Sequence, residues 1–157
     1  MKIVGVGDLF IPARYIERGF APLRDQGHAV ETADWPLQSF DELQGINLRV
    51  EREGSEAVRP PECAFALGRE AEVFITQFCP VTRELLDACP RLKAIGVLRA
   101  GTENVCVAEA EKRGVAVFNT PGRNAEAVSD FTVGMILCEA RNIARGHHGL
   151  KTGQWIR

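Results

Sequence analysis

The sequence is short of the motifs that usually announce chemistry. GxGxxG is absent from its 157 residues, so no turn carries the complete glycine fingerprint of a dinucleotide site. Gly5-Val6-Gly7 follows the first apolar segment, but no third glycine completes it. P-loop, HExxH and GxSxG are missing too, which removes the short signals for nucleotide, zinc-hydrolase and serine-hydrolase chemistry. The five cysteines, Cys63, Cys79, Cys89, Cys106 and Cys138, include no CxxC pair, and no histidine lies near them at metal-ligand spacing. They are expected to be reduced thiols, not disulfides or metal ligands. No basic run occurs and the formal net charge is -2, so the electrostatic footprint of a nucleic-acid binder is missing. No charge-free run approaches the roughly 20 residues of a membrane span. The opening MKIVGVGDLF enters a strand pattern at once, with too little apolar length for a secretory signal, so a cytoplasmic chain is expected.

What is present is ordinary for a globular domain with a real core: 45% hydrophobic and 25% charged residues. Strand-like and helix-like segments alternate. Residues 2–6 (KIVGV), 28–32 (HAVET), 72–76 (EVFIT), 92–98 (LKAIGVL) and 115–118 (VAVF) have the short, β-branched, apolar character of buried parallel strands. Helical patterns fall at 12–26, with Gly27 as the stop, at 82–88, with Thr82 as N-cap, and at 105–113, stopped by Gly114. Residues 35–61 mix glycine, proline and charge, and one or two short helices are expected there. Short strand–helix connections favour parallel pairing. The expected fold is α/β: a flavodoxin-like, doubly wound, five-stranded parallel sheet.

One helix dominates the pattern, at residues 125–145. Within it FTVGMILCEA (131–140) has only Thr132 and Glu139 as polar positions. Val128, Phe131 and Met135 lie on one side, and Val133, Ile136, Leu137, Ala140 and Ile143 cover much of the rest. A helix apolar nearly all round needs protein around it. Self-association through this helix is expected.

Ligands of doubly wound sheets sit beyond the carboxyl ends of the strands. Three loops lie there: 77–80, 99–104 and 119–124. Arg99-Ala100-Gly101-Thr102 is the best anion site, because small residues let backbone N–H groups converge on a carboxylate-sized ligand, with Arg99 as a possible added charge. A plain strand-to-helix turn with Arg99 on the surface is the alternative. Gln77 and Phe78 would wall the pocket. Cys79 has no partner for a nucleophile's role and is expected to be a half-buried loop thiol. His147 and His148 are expected as solvated residues at the end of the long helix.

LKAIGVLRAGTENV (92–105), RGVAVFNTP (113–121) and GRNAEAVSDFTVGMILCEARNIARGHHGLKTGQW (122–155) together resemble the D-isomer-specific 2-hydroxyacid dehydrogenases, in their phosphoglycerate dehydrogenase-like branch. The resemblance is continuous from about residue 73 to 155; residues 1–70 fit by architecture alone. It implies residues 1–122 as a substrate-binding domain, and residues 123–157 as a long crossover helix and tail leading to a dinucleotide-binding domain. It implies NAD or NADP in the full-length parent, with none bound to this chain. It places the substrate carboxylate on Arg99, Ala100 and Gly101, Gln77 and Phe78 along the same cleft, and Asn124 toward the cofactor. The family's catalytic Arg and Glu–His pair would lie beyond residue 157, so no catalytic residue is carried over. Two departures stand out: the glycine-rich loop is shorter, with Cys106 at the usual Asp, and Val-Ser-Asp (128–130) replaces Val-Ala-Glu.

The expected function is therefore the substrate-binding part of an NAD(P)-dependent oxidoreductase acting on the CH–OH group of a D-2-hydroxy acid, inactive as this chain alone. Its partners would be a small 2-hydroxy or 2-keto acid and a second copy through the 125–145 helix, with no nucleic acid or membrane. A stand-alone carboxylate-binding or dimerisation module without catalysis is the second reading. A flavin domain fits poorly, since the loop after the first strand lacks a Ser/Thr-rich phosphate cradle.

Overall fold

A computed structural model describes residues 1–155. It forms two compact units, divided after Pro121. The first unit contains β1 (Lys2–Gly7), α1 (Ala13–Asp25), β2 (Ala29–Asp34), α2 (Phe40–Glu53), a 3-10 turn at Ser55–Ala57, α3 (Glu62–Gly68), β3 (Val73–Thr76), α4 (Arg83–Ala88), β4 (Ala94–Val97), α5 (Val107–Lys112) and β5 (Ala116–Asn119). The strands pair in the order β2-β1-β3-β4-β5, every pair parallel. That is the flavodoxin-like order, with its switch point between β1 and β3.

Alternation along the strands splits the core in two. Ile3, Val30, Ile75 and Val73 turn to one side and pack with Ile16, Phe20 and Leu23 of α1. Val4, Val6, Phe74, Ile95 and Val97 belong to the other core, with Ala64, Leu85, Leu86 and Ala110 from α3, α4 and α5. Period-2 side chains buried on both faces are why these strands read as continuous apolar runs. Gly7 ends β1 because the start of α1 passes directly over it. A Cβ there would stand 2.1 Å from the Ala13 backbone nitrogen.

The 35–61 region holds a longer helix than its composition suggests. Ser39 caps α2, its Oγ accepting the Glu42 N–H at 3.1 Å. Leu43 and Val50 are buried along its inner side, and Gly54, at φ 86°, ends it. Thr82 caps α4 as expected, accepting the Leu85 N–H at 3.2 Å. Cys79 departs from its expectation. It is 1% exposed, because Val81 bridges to Val105 and draws the whole 77–81 loop into the core.

The second unit corrects the helix expected over 125–145. It is two helices, α6 (Ala125–Ala140) and α7 (Ile143–Lys151). The break lies at Asn142, whose φ of 58° is left-handed, a conformation Asn tolerates better than most residues. Asn142 Oδ1 accepts from Arg145 Nε, and Arg145 also pairs with Glu139 at 2.7 Å. No residue of α6 is buried in the chain. No helix among the described residues is long and apolar enough to cross a membrane.

Candidate functional site

The carboxyl ends of β1, β3, β4 and β5 bring their loops to one edge of the first unit. After β3, Gln77 is buried and Phe78 half-buried. After β4, residues 99–104 run beside them. Asn104, fully buried, holds the two loops together: its Nδ2 donates to the carbonyl oxygens of Gln77 at 3.3 Å and Cys79 at 3.1 Å. Backbone bonds from Val81 N–H to the Asn104 carbonyl, 2.7 Å, and from Cys106 N–H to the Val81 carbonyl, 2.9 Å, complete the splice. After β5, Asn119 Nδ2 donates to the Ala100 carbonyl at 2.6 Å and Thr120 N–H to the Arg99 carbonyl at 3.1 Å. The carbonyls of the 99–100 segment are thus tied back into the sheet. Its N–H groups are not: among the described residues, no acceptor takes the N–H of Arg99, Ala100 or Gly101. Backbone donors left free in this way are available to an anion.

Arg99 does not lie loose on the surface. Its guanidinium donates to Asn47 Oδ1 at 3.1 Å and Glu51 Oε1 at 3.0 Å, both on α2, and stands 3.5 Å from Glu103 Oε2. Its plane covers Phe78, 4.9 Å from the ring centroid. Its charge already faces two carboxylates, so its contribution to the loop is to fix it against α2 and Phe78. Phe78 in turn meets Phe10 of the β1 loop at 6.0 Å, and Phe10 meets Phe40 at the start of α2 at 5.1 Å. Phe10 and Phe40 are about half exposed. The edge therefore offers an apolar wall at the switch point and a row of free backbone donors beside it.

Behind the wall, Gln77 Oε1 and Asn104 Oδ1 are buried with no donor among the described residues. A cavity of about 310 Å³ opens next to this edge between Asp8, Leu9, Asp34 and Trp35. Another, of about 260 Å³, lies by Cys89, Leu92 and Val115 and touches none of the candidate residues. Burial drives the Cys79 thiol well above its usual range, with Cys63 and Asp8 adding to the effect, and that removes the thiolate a nucleophile requires. Burial likewise lifts Cys89 to about 11.

Histidine is missing from this edge. His28, the one histidine of the first unit, meets the Met1 ammonium through Nδ1 at 3.1 Å, at the amino ends of β1 and β2. His147 and His148 are exposed on α7. Asn124 precedes α6 in the second unit and is exposed, without capping the helix through its side chain. No cluster of metal-ligating side chains occurs among the described residues.

The turn after β1 does not suit a pyrophosphate. Asp8 Oδ1 accepts the N–H groups of Phe10 at 2.8 Å and Ile11 at 2.9 Å, so a carboxylate already uses the donors that a phosphate would need.

Asn47, Glu51, Glu103, Asn104 and Phe10 are the parts of this edge that the sequence expectation lacks. Asn47 and Glu51 carried one usable signal, an i, i+4 spacing that puts both on one side of a helix. Asn104 carried none, since a polar residue in a polar loop reads as solvated.

A family model described as D-isomer specific 2-hydroxyacid dehydrogenase, catalytic domain, matches residues 35–151. A hydroxypyruvate reductase of Thermotoga maritima is 39% identical over 120 residues, which is 76% of this chain and 36% of that protein. A D-3-phosphoglycerate dehydrogenase of Methanocaldococcus jannaschii is 33% identical over 90 residues, 57% of this chain and 17% of that protein. The chain thus spans well under half the length of these relatives. Among solved structures, the NAD-dependent formate dehydrogenase of Staphylococcus aureus in complex with NAD superposes with a TM-score of 0.66, at 21% identity, over 99% of this chain and 42% of that one. At that identity the superposition shows the fold. The family match runs from the end of β2 through α7, takes in both loops of the edge just described, and covers most of the sequence: the chain belongs to the D-isomer specific 2-hydroxyacid dehydrogenases.

Proposed function

We propose that this chain is the substrate-binding part of an NAD-dependent oxidoreductase acting on the CH–OH group of a D-2-hydroxy acid. NAD bound in the whole protein would supply hydride chemistry at the carbon that bears the hydroxyl or keto oxygen. Residues 1–122 take the acid, and the segment that follows leads to a nucleotide domain, with Asn124 on the cofactor side. The chain's own residues bind and orient. Backbone N–H groups of Arg99, Ala100 and Gly101 receive the substrate carboxylate, while Gln77 and Phe78 line the rest of the acid. Phe78, with Phe10, keeps water from one side. A proton donor for the keto oxygen is not among these residues, so the chain alone is expected to be inactive with NAD and a 2-keto acid. The free donors of residues 99–101, set beside a buried Gln77, are the observation that carries this reading.

The exposed apolar side chains of α6 favour pairing with a second copy of the chain. The family match supports a small 2-hydroxy or 2-keto acid as ligand, and relatives named hydroxypyruvate reductase and glyoxylate reductase fit that size. An amide-resolved NMR titration of the chain with glyoxylate tests the site. Shifts concentrated at residues 77–78 and 99–101 are expected. Shifts elsewhere, or none, would reject it. NADH consumption by the pure chain would reject its inactivity.

A further inference from the structure

The carboxyl group of Glu103 already rests on the loop proposed for the ligand. A Cβ placed on Gly101 would stand 2.2 Å from Glu103 Oε2, 2.7 Å from Oε1 and 2.8 Å from Cδ. The carboxyl group thus turns its oxygen edge toward the Gly101 α-carbon, in space that only glycine leaves open. Arg99 Nη2, 3.5 Å from Oε2, holds it there. Glu103 takes none of the N–H groups of residues 99–101 among the described residues, so its carboxyl group occupies the Gly101 side of the loop while those donors stay unsatisfied. Its side chain is 46% exposed, which leaves it a path outward. Arg99 would not be released with it, because Asn47 and Glu51 still hold the guanidinium at 3.1 and 3.0 Å.

We infer that Glu103 is an internal competitor for the 99–101 loop, a carboxylate that a small carboxylate ligand must displace before it reaches the backbone donors. The inference rests on the reading of that loop as the carboxylate site. Two effects act together. A ligand that binds only the uncovered state has its affinity reduced by the fraction of time the loop is uncovered. Two carboxylates a few ångströms apart also repel, so the ligand cannot enter beside Glu103 without moving it. The arrangement favours ligands with a compact carboxylate end that can take the vacated place.

The test uses the isotopically labelled full chain, its Glu103→Gln and Glu103→Ala variants, and glyoxylate as the probe. The Kd is followed at the Ala100 and Gly101 amides. For a loop uncovered about one tenth of the time, removing the side chain in Glu103→Ala tightens binding about tenfold. Glu103→Gln, which keeps the bulk and loses the charge, gains less. In the unsubstituted chain, a nuclear Overhauser contact between Gly101 Hα and Glu103 Hγ is expected without ligand and lost at saturation. Equal affinity in all three proteins, with shifts at residues 100 and 101, overturns the competitor and leaves the loop as the site. Persistence of the Gly101–Glu103 contact at saturation overturns the displacement. No shift at residues 99–101 in any of the three overturns both the competitor and the site. Well-dispersed spectra of the variants serve as the check on folding.

Discussion

At the scale of single residues, Asn104 and Glu72 fasten opposite edges of the same sheet. Asn104 bonds two carbonyl oxygens of the β3 loop from a fully buried position. Asn104→Ala leaves both carbonyls without that donor and opens a small void, which is expected to cost about 2 kcal/mol. Urea denaturation with an unchanged slope checks it, and a loss below about 0.5 kcal/mol, the level of an indifferent surface change, would contradict it. Glu72 works at the amino edge. Lys93 Nζ donates to its Oε1 at 2.7 Å and the Lys2 backbone N–H to its Oε2 at 2.8 Å. The Lys93 hydrogen bond, then the Lys2 N–H, lower its carboxyl from 4.5 to about 2. A carboxyl group lowered by folding stabilises fully above its ordinary value and loses that contribution as pH falls toward the folded value. Between pH 4.5 and about 2, Glu72→Gln is therefore expected to show a shallower fall in its denaturation midpoint than the unsubstituted chain. Parallel curves for the two would assign the acid sensitivity to other groups.

At the scale of elements, α2 is held to the β4 loop by one side chain of the loop and two of the helix. Arg99 reaches Asn47 and Glu51, one turn apart on α2. Arg99→Leu keeps bulk over Phe78 and removes those bonds. Hydrogen exchange across residues 47–53 should rise about tenfold, the factor equivalent to 1.4 kcal/mol, while α1 stays as it was. Equal exchange in α2 would show that its buried Leu43 and Val50 anchor it unaided. The same element shows where sequence reasoning thins out. The central strands β1 and β3 were legible because they bury both faces and so read as apolar runs, while β2 and β5, at the sheet's margins and largely exposed, were legible from short β-branched or apolar stretches. In α2, Leu43, Ile46 and Val50 are spaced as a helix requires, but they are diluted among charges, and the Gly45 beside them imitates a loop. The two-helix form of the second unit was hidden for another reason. Asn142 turns the chain by a left-handed φ, and nothing in ARNIAR distinguishes that residue from a helical surface position. At the loops, sequence located the carboxyl-end segments but not their internal bonds. Arg99 finds Asn47 and Glu51 across 52 and 48 residues, and such distances leave no mark in local pattern.

At the scale of the whole molecule, the second unit carries Val128, Phe131, Val133, Ile136 and Leu137, all more than half exposed. Soluble proteins seldom leave such a patch to water. Sedimentation velocity is expected to show a dimer that dissociates on dilution, and Ile136→Glu with Leu137→Glu should yield a monomer with unchanged circular dichroism in the sheet region. A monomer at every concentration of the unsubstituted chain would refute this. The first unit has a different whole-molecule property, set by its parallel strands. The loops proposed for the ligand all leave from carboxyl ends, while Met1, near Glu72 at 3.9 Å and His28 at 3.1 Å, sits at the amino ends. The six residues of β1 place about 20 Å between the two. A surface coupled through the α-amino group would thus grip the domain from behind. An immobilised chain would keep its loops turned to the solution, and a sensor built that way would register small acids without a spacer on the front.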